Sequence, residues 1–157
     1  MDFEDVYRRQ FPGVYRYLLA LCGDPGLAEE LAQETFFRAV QKSGSFRGDC
    51  KLSVWLCQIG KNCWYDHLRQ KKRRDAALPE QPAEEWSEPP ESGFLERETA
   101  QQLHRRLHAL PEPYREVFSL RVFAELSFSQ IGELFGRSEG WARVTYHRAK
   151  LKLREDE

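Results

Sequence analysis

The chain has 157 residues, 41% of them hydrophobic, which suits one packed domain or two small ones and excludes a disordered composition. No apolar run approaches the length of a bilayer span, and the N-terminus, MDFEDVYRR, is charged rather than a leader, so a cytoplasmic protein with no membrane insertion is expected. The net charge of −1 conceals a partition: residues 1–74 hold 13 basic and 9 acidic side chains, residues 75–102 hold 1 and 8, and residues 103–157 hold 10 and 8. Two mildly basic blocks flank an acidic connector, a distribution that admits a nucleic-acid partner which the overall pI would hide.

The first block opens with a short helical pattern over Asp2–Gln10 built on Phe3, Val6 and Tyr7. Pro12 can start a second helix running to about Cys22, with Val14, Tyr17, Leu18 and Leu21 as its stripe. Gly23-Asp24-Pro25-Gly26 reads as a turn, and the next helix, Gly26 to Gln41, sends Leu27, Ala28, Leu31, Ala32, Thr35, Phe36, Ala39 and Val40 toward a core. Its outer face carries Glu29, Glu30, Gln33 and Glu34 and then Arg38. Acids first and a base later suit the helix dipole, so this is either a solvated face or a docking surface for a basic partner.

Ser43–Lys51, SGSFRGDCK, is a polar loop with Phe46 and Arg47 at its middle, and a helix over Leu52–Arg74 follows. Leu52, Trp55, Leu56, Ile59, Cys63 and Asp66 share a face there, with Asn62 one turn from Asp66. The two polar groups either bond each other or a neighbouring backbone, or Asn62 faces a cavity and reads a base edge. Lys61, Trp64, Tyr65, Leu68, Arg69, Lys71 and Lys72 mix cations with rings, which suits single-stranded nucleic acid, or equally core aromatics beside a solvated charge run. Cys22, Cys50, Cys57 and Cys63 show no CxxC spacing; Cys63 and His67 lie one turn apart but lack further ligands, so buried free thiols are expected and no metal.

Asp75 to Ser92 is rich in Pro and Glu and reads as a flexible acidic linker, with Trp86 as a lone candidate for docking. Beyond it, Leu95, Thr99, Leu103, Leu107 and Leu110 give one helical stripe, and Pro111 and Pro113 precede a helix with Tyr114, Val117, Phe118, Leu120, Arg121 and Val122. Ser127 with Gln130 forms a capping box, Phe128, Ile131, Leu134 and Phe135 mark a buried face, and Gly136 can end that helix in the left-handed region. Ser138 caps a last helix with Ala142, Tyr146, Ala149 and Leu153 on one side and Arg143, His147, Arg148, Lys150 and Lys152 on the rest. Two short helices about a tight turn, the second basic, predict a DNA-binding helix-turn-helix, the bland alternative being a helical hairpin with a solvated basic face. The pattern predicts an all-α chain with no catalytic centre and no cofactor, since no glycine-rich phosphate loop or nucleophile–base pair is visible.

Two sets of residues then coincide: Gln33-Glu34-Thr35-Phe36, Arg38-Ala39, Phe46-Arg47-Gly48-Asp49, Trp55-Leu56, Ile59, Asn62, Asp66 and Leu68-Arg69 in the first block; Leu110-Pro111, Arg115-Glu116-Val117, Leu120-Arg121, Leu126-Ser127, Ile131, Leu134-Phe135-Gly136, Ser138-Glu139-Gly140 and His147-Arg148-Ala149 in the second. Together they resemble an extracytoplasmic-function (group 4) bacterial sigma factor of the sigma-70 family, over nearly the whole chain. The resemblance implies two small helical domains: a sigma-2-like bundle over 1–74 and a sigma-4-like helix-turn-helix domain over 93–157, joined by the linker 75–92. It implies core RNA polymerase, promoter DNA and an anti-sigma factor as partners. Glu30, Gln33 and Glu34 would face the polymerase clamp helices. Ser45, Phe46, Arg47, Lys51, Lys61 and Asn62 would hold the opened minus-10 strand, with Phe46 and Asn62 lining a pocket for an extruded base. Arg121, Arg143, Val144, His147 and Arg148 would meet the duplex minus-35 element. The linker would thread the polymerase toward its RNA exit path.

The chain departs from the family pattern at Leu27, where an acid is common, at Trp141, where Thr is usual, at Thr145, where a second Arg is frequent, and at Trp64 and Tyr65, commonly aliphatic. Trp141 would then close the helix pair rather than touch DNA, and at least one of Trp64 and Tyr65 would pack. The competing functions are a conventional helix-turn-helix regulator, which has no need of the FRGD loop or the WLxxIxxNxxxD helix, and a sigma-like module that only sequesters a protein partner.

Overall fold

The computed structural model describes residues 2–43, 52–76 and 94–155, and among them every regular element is helical. The predicted loop residues Ser45, Phe46, Arg47 and Lys51, with Cys50 and Trp86, lie outside the described residues. Helix α1 spans Phe3–Cys22; Asp2 caps it by accepting from the Glu4 amide at 3.2 Å, and Gly23 ends it at φ 73°, returning its N–H to Leu19 O. The sequence pattern predicts two helices here, broken near Pro12, but α1 runs through. An interior proline costs about 3 kcal/mol by losing a hydrogen bond and crowding the preceding turn. That cost is offset by aromatic packing of the turns that precede Pro12: the rings of Phe3, Tyr7 and Phe11 all close on Phe36, with centroids 6.4, 5.0 and 5.9 Å away.

Helix α2, Pro25–Gln41, starts with Asp24 accepting from the Gly26 amide at 3.0 Å and Pro25 in its first turn. Helix α3 is Leu52–Ala76. The three helices bury Leu18, Leu21, Ala28, Leu31, Ala32, Phe36, Leu56, Cys57, Ile59 and Cys63. Gly60 lets α3 approach α2, since a Cβ there would lie 3.3 Å from Thr35 Oγ1. Cys22, Cys57 and Cys63 are free thiols, and burial pushes the Cys57 thiol up to about 12. Among the described residues no group of His, Cys, Asp or Glu is assembled for a metal ion, and no helix is long and apolar enough to cross a membrane. His67 instead stacks on Trp64, centroids 5.9 Å apart.

In the second block α4 spans Phe94–Ala109 and α5 Tyr114–Val122. Helix α6, Phe128–Phe135, carries the predicted capping box in full: Ser127 Oγ accepts from the Gln130 amide at 3.1 Å, and Gln130 Oε1 accepts from the Ser127 amide at 2.9 Å. Gly136 ends α6 at φ 65°, and Ser138 Oγ accepts from the Trp141 amide at 3.1 Å to start α7, Glu139–Glu155. Ala142, Ala149 and Leu153 are buried as the spacing predicts.

The two blocks are not independent bodies. One core runs from Val14 and Tyr17 of α1 through Leu56 of α3 to Val117, Leu120, Leu126, Ile131 and Ala142 of the second block. Ala20 of α1 sits in a second cluster with Leu107, Leu110, Phe118, Ala149 and Leu153. The turn of the helix-turn-helix depends on Gly132, where a Cβ would fall 2.7 Å from Ser138 O and 2.8 Å from Arg137 O. Gly132→Ala should therefore destabilise the fold by about 1–3 kcal/mol through backbone overpacking, read as a lower urea midpoint at unchanged slope. A stability equal to the parent's would mean that the turn accommodates the methyl group.

Candidate nucleic-acid interface

Burial of Ala142, Thr145, Ala149 and Leu153 fixes the rotation of α7 and leaves Arg143, Val144, His147 and Arg148 on its exposed side, Val144 at 48% exposure. Arg143 donates to Glu139 Oε1 at 3.0 Å one turn earlier. Arg121 stands apart on α5: its guanidinium donates to Leu126 O at 3.1 Å and lies 4.3 Å from the Phe128 ring centre. Four of the five residues predicted for duplex contact thus share one helix face, and the fifth flanks it from another helix. Thr145 is 5% exposed, so it points into the core and not toward a partner. Trp141 packs its ring 5.2 Å from that of Phe135 with the Arg137 guanidinium nearby, and so joins the two helices of the motif.

On α3, Asn62 is exposed and Lys61 is half-buried. Asn62 and Asp66 are not each other's partners in the way the spacing suggests: Asp66 accepts from Arg38 at 3.0 Å and from Arg69. Arg38 also donates to Glu34 at 3.0 Å, giving an ion network that ties α2 to α3. The Arg38 guanidinium first, and then Arg69, hold the Asp66 carboxyl below the usual range. Both ambiguous rings on α3 pack: Trp64 against the shared core and His67, Tyr65 through its hydroxyl onto Glu116.

Helix α2 exposes Glu30, Gln33 and Glu34, with Glu34 already engaged by Arg38. Two apolar side chains continue that surface, Phe37 at 59% and Val40 at 48% exposure. The core spacing of α2 places Val40 inside, but it lies outside because the buried stripe is completed by Phe36 and Ala39. Phe37 was not singled out from sequence, although its position three and four residues beyond Glu34 and Gln33 places it on their face.

Residues 6–74 match the family model of sigma-70 region 2, and residues 100–153 match that of sigma-70 region 4. The chain is 34% identical over 160 residues to the RNA polymerase sigma factor CarQ of Myxococcus xanthus, covering 98% of this chain and 87% of that one. This chain belongs to the extracytoplasmic-function sigma factors of the sigma-70 family. It is 29% identical to the sigma factor YlaC of Bacillus subtilis over 99% of this chain and 91% of that one. Its fold is similar to that of the sigma factor RpoE of Bartonella quintana, determined in complex with the anti-sigma factor NepR, at a TM-score of 0.78 and 25% identity over 98% of this chain and 95% of that one. The protein is therefore an initiation factor that binds bacterial core RNA polymerase and directs it to promoters.

In this sigma factor the surfaces of the two regions are locked together by Glu116, a residue of α5 that is 2% exposed. Its carboxylate accepts from the Tyr17 hydroxyl of α1 at 3.5 Å and the Tyr65 hydroxyl of α3 at 3.2 Å. Beside it, the Lys61 ammonium lies 3.7 Å from the centre of the Phe135 ring of α6, so a cation predicted for single-strand contact is held by the other region. Burial pushes the Glu116 carboxyl up from its ordinary value, against the pull of Lys61 and with a further push from Glu112. Burial likewise raises the Tyr65 hydroxyl to about 12. A raised carboxyl favours the closed packing most below the unfolded value of about 4.3, and that contribution is lost as pH rises through the folded value. Glu116→Gln, neutral throughout, should raise the melting temperature near neutrality and flatten its pH dependence. Glu116→Ala should cost about 1–3 kcal/mol by leaving the buried Tyr17 hydroxyl without its acceptor. Parallel pH profiles for the Gln variant and the parent would contradict the assigned charge effect.

Proposed function

We propose that this sigma factor divides promoter recognition between two chemistries. The exposed α7 face of Arg143, Val144, His147 and Arg148, with Arg121 beside it, reads the minus-35 element as duplex DNA. Lys61 and Asn62, with Ser45, Phe46, Arg47 and Lys51, hold the opened minus-10 strand. The observation that carries the reading is the α7 face: Arg143, Val144, His147 and Arg148 exposed at helical spacing on a capped helix whose opposite face is core, side chains of the types that read base edges. Glu30, Gln33 and Glu34, extended by Phe37 and Val40, dock on the core polymerase. An aromatic anchor rimmed by acids and an amide suits a basic helical partner surface. An anti-sigma factor is the further partner, as the Bartonella relative was determined with one. The work is done in the cytoplasm, where the polymerase is, and asks no catalysis of the chain itself.

On this reading the closed packing is not the promoter-bound form. The two elements are separated by roughly 25 base pairs, or about 85 Å of duplex at 3.4 Å per step. Lys61 touches Phe135, Phe135 touches Trp141 at the start of α7, and a 17-residue helix is about 25 Å long. No residue of α7 is then more than about 35 Å from Lys61. On this reading the sigma factor must therefore open between its regions before it engages a promoter.

Transcripts from core polymerase with this sigma factor on a promoter library should start at specific sites; starts no different from core alone would overturn the reading. Arg148→Ala should weaken binding to the selected minus-35 element by about 1–3 kcal/mol, while Asn62→Ala should impair opening at selected minus-10 bases with core affinity retained. Phe37→Ala should lower core affinity by about 1–3 kcal/mol with melting temperature unchanged. Gly13 of α1 lies against the backbone of Phe123 and Ala124, so thiols introduced by Gly13→Cys and Ala124→Cys can be joined by a short bis-thiol crosslinker that contains a reducible disulfide. The crosslinked form should not initiate and reductant should restore it; full activity of the crosslinked protein would refute the need to open.

A further inference from the structure

Phe128 is the first residue of α6 and is half-buried beside the α7 face. Two guanidinium groups from different helices share its ring: Arg121 of α5 at 4.3 Å and Arg143 of α7 at 5.4 Å from the ring centre. The rings of Tyr146 and His147 pack against it at 5.5 and 6.4 Å. Each arginine is held a second time, Arg121 by Leu126 O and Arg143 by Glu139. A guanidinium has five N–H donors, so one hydrogen bond and one ring contact leave most of them for a partner. Both cations lie within about 10 Å of each other, a Debye length or less, so they repel until an anion comes between them. Fixing both side chains in advance also removes rotamer entropy that binding would otherwise have to overcome.

We propose that Phe128 is a positioning residue for minus-35 recognition: its ring holds Arg121 and Arg143 as a preorganised pair that takes a DNA phosphate between them. The proposal rests on the duplex-reading role given to α7. Phe128 itself touches no base; it acts through the arginines. The aromatic face is what matters, so Tyr should substitute for Phe and an aliphatic of similar volume should not.

The test uses holoenzyme assembled from core polymerase and the full-length sigma factor, with a labelled promoter fragment drawn from the selected start sites and a second fragment whose minus-35 element is scrambled. Phe128→Leu should bind both fragments about three- to tenfold more weakly, because a phosphate contact is lost whatever the base sequence. Its salt dependence should be shallower by about one counterion, a change that loss of folded protein does not produce. Phe128→Tyr should restore both. Adding Arg143→Ala to Phe128→Leu should cost less than the two single losses combined, since the ring acts through that arginine. Where Phe128→Leu melts at the assay temperature, Phe128→Met serves as the ring-free variant. Parent-like affinity and salt slope in a folded ring-free variant, or full additivity with Arg143→Ala, would overturn the proposal while leaving the α7 reading intact. If Arg143→Ala and Arg148→Ala both bind like the parent, the α7 reading itself falls, and this proposal with it.

Discussion

The fold depends on α1 being buried from two sides. Leu18 faces α3, its Cδ1 being 3.8 Å from where a Cβ on Gly60 would stand, and Leu21 belongs to the same core. Around the helix, Gly13, Tyr17 and Ala20 form a second stripe: Gly13 lies against Phe123 and Ala124, Tyr17 on Glu116, and Ala20 among Leu107, Leu110 and Phe118. The small residues let the backbones approach, and the one large side chain between them brings a hydroxyl into the core. A buried hydroxyl needs a partner, and the partner is the buried Glu116 carboxylate, which needs donors in turn. Tyr17 and Glu116 answer each other across the two regions, and Tyr65 completes the arrangement.

That answer has a consequence for function. The residues that close the molecule include one predicted for single-strand contact, Lys61, and they lie beside another, Asn62. On the proposed reading, closed packing and promoter engagement draw on overlapping surface. Opening would expose apolar groups such as Ala20 and the Tyr17 ring, a cost that the proposed polymerase contacts would have to offset. A polar latch suits this better than a purely apolar seam: when the regions part, water can hydrate the freed carboxylate and hydroxyls, which lowers the cost of exposure relative to aliphatic side chains of equal area.

The helices were legible because their signals are local. Ser127 with Gln130, Gly136 and Ser138 specify caps within a few residues, and the structure uses each as written. The α7 face was legible because Ala142, Tyr146, Ala149 and Leu153 fix its rotation. Two errors came from competition the local pattern does not display. Pro12 is a strong break signal, but aromatic packing against Phe36 lies outside the window that sees it. Val40 continues the core spacing of α2, but Ala39 already fills the last core position. Nothing local to Glu116 marks it as buried. A glutamate in the first turn of a helix is ordinarily solvated, and only its distance from Tyr17, ninety-nine residues away in sequence, reveals otherwise.

The burial of Thr145 changes how the departures from the family pattern are weighed. A residue that points into the core contributes no cation to a DNA face, so its replacement of an arginine is a packing change. The positive charge on the proposed duplex side then rests with Arg121, Arg143 and Arg148, and these differ in constraint. Arg121 and Arg143 are each tied to a neighbour and to Phe128, whereas Arg148 is exposed further along the same face. Phosphate contacts set register and tolerate prior fixing, since the backbone is the same at every sequence; base contacts must adjust to the edge they meet. The constrained pair fits the first task, and Arg148, with Val144 and His147, fits the second. Specificity at minus-35 would then lie in three exposed side chains, while affinity and its salt dependence lie in the two that are held.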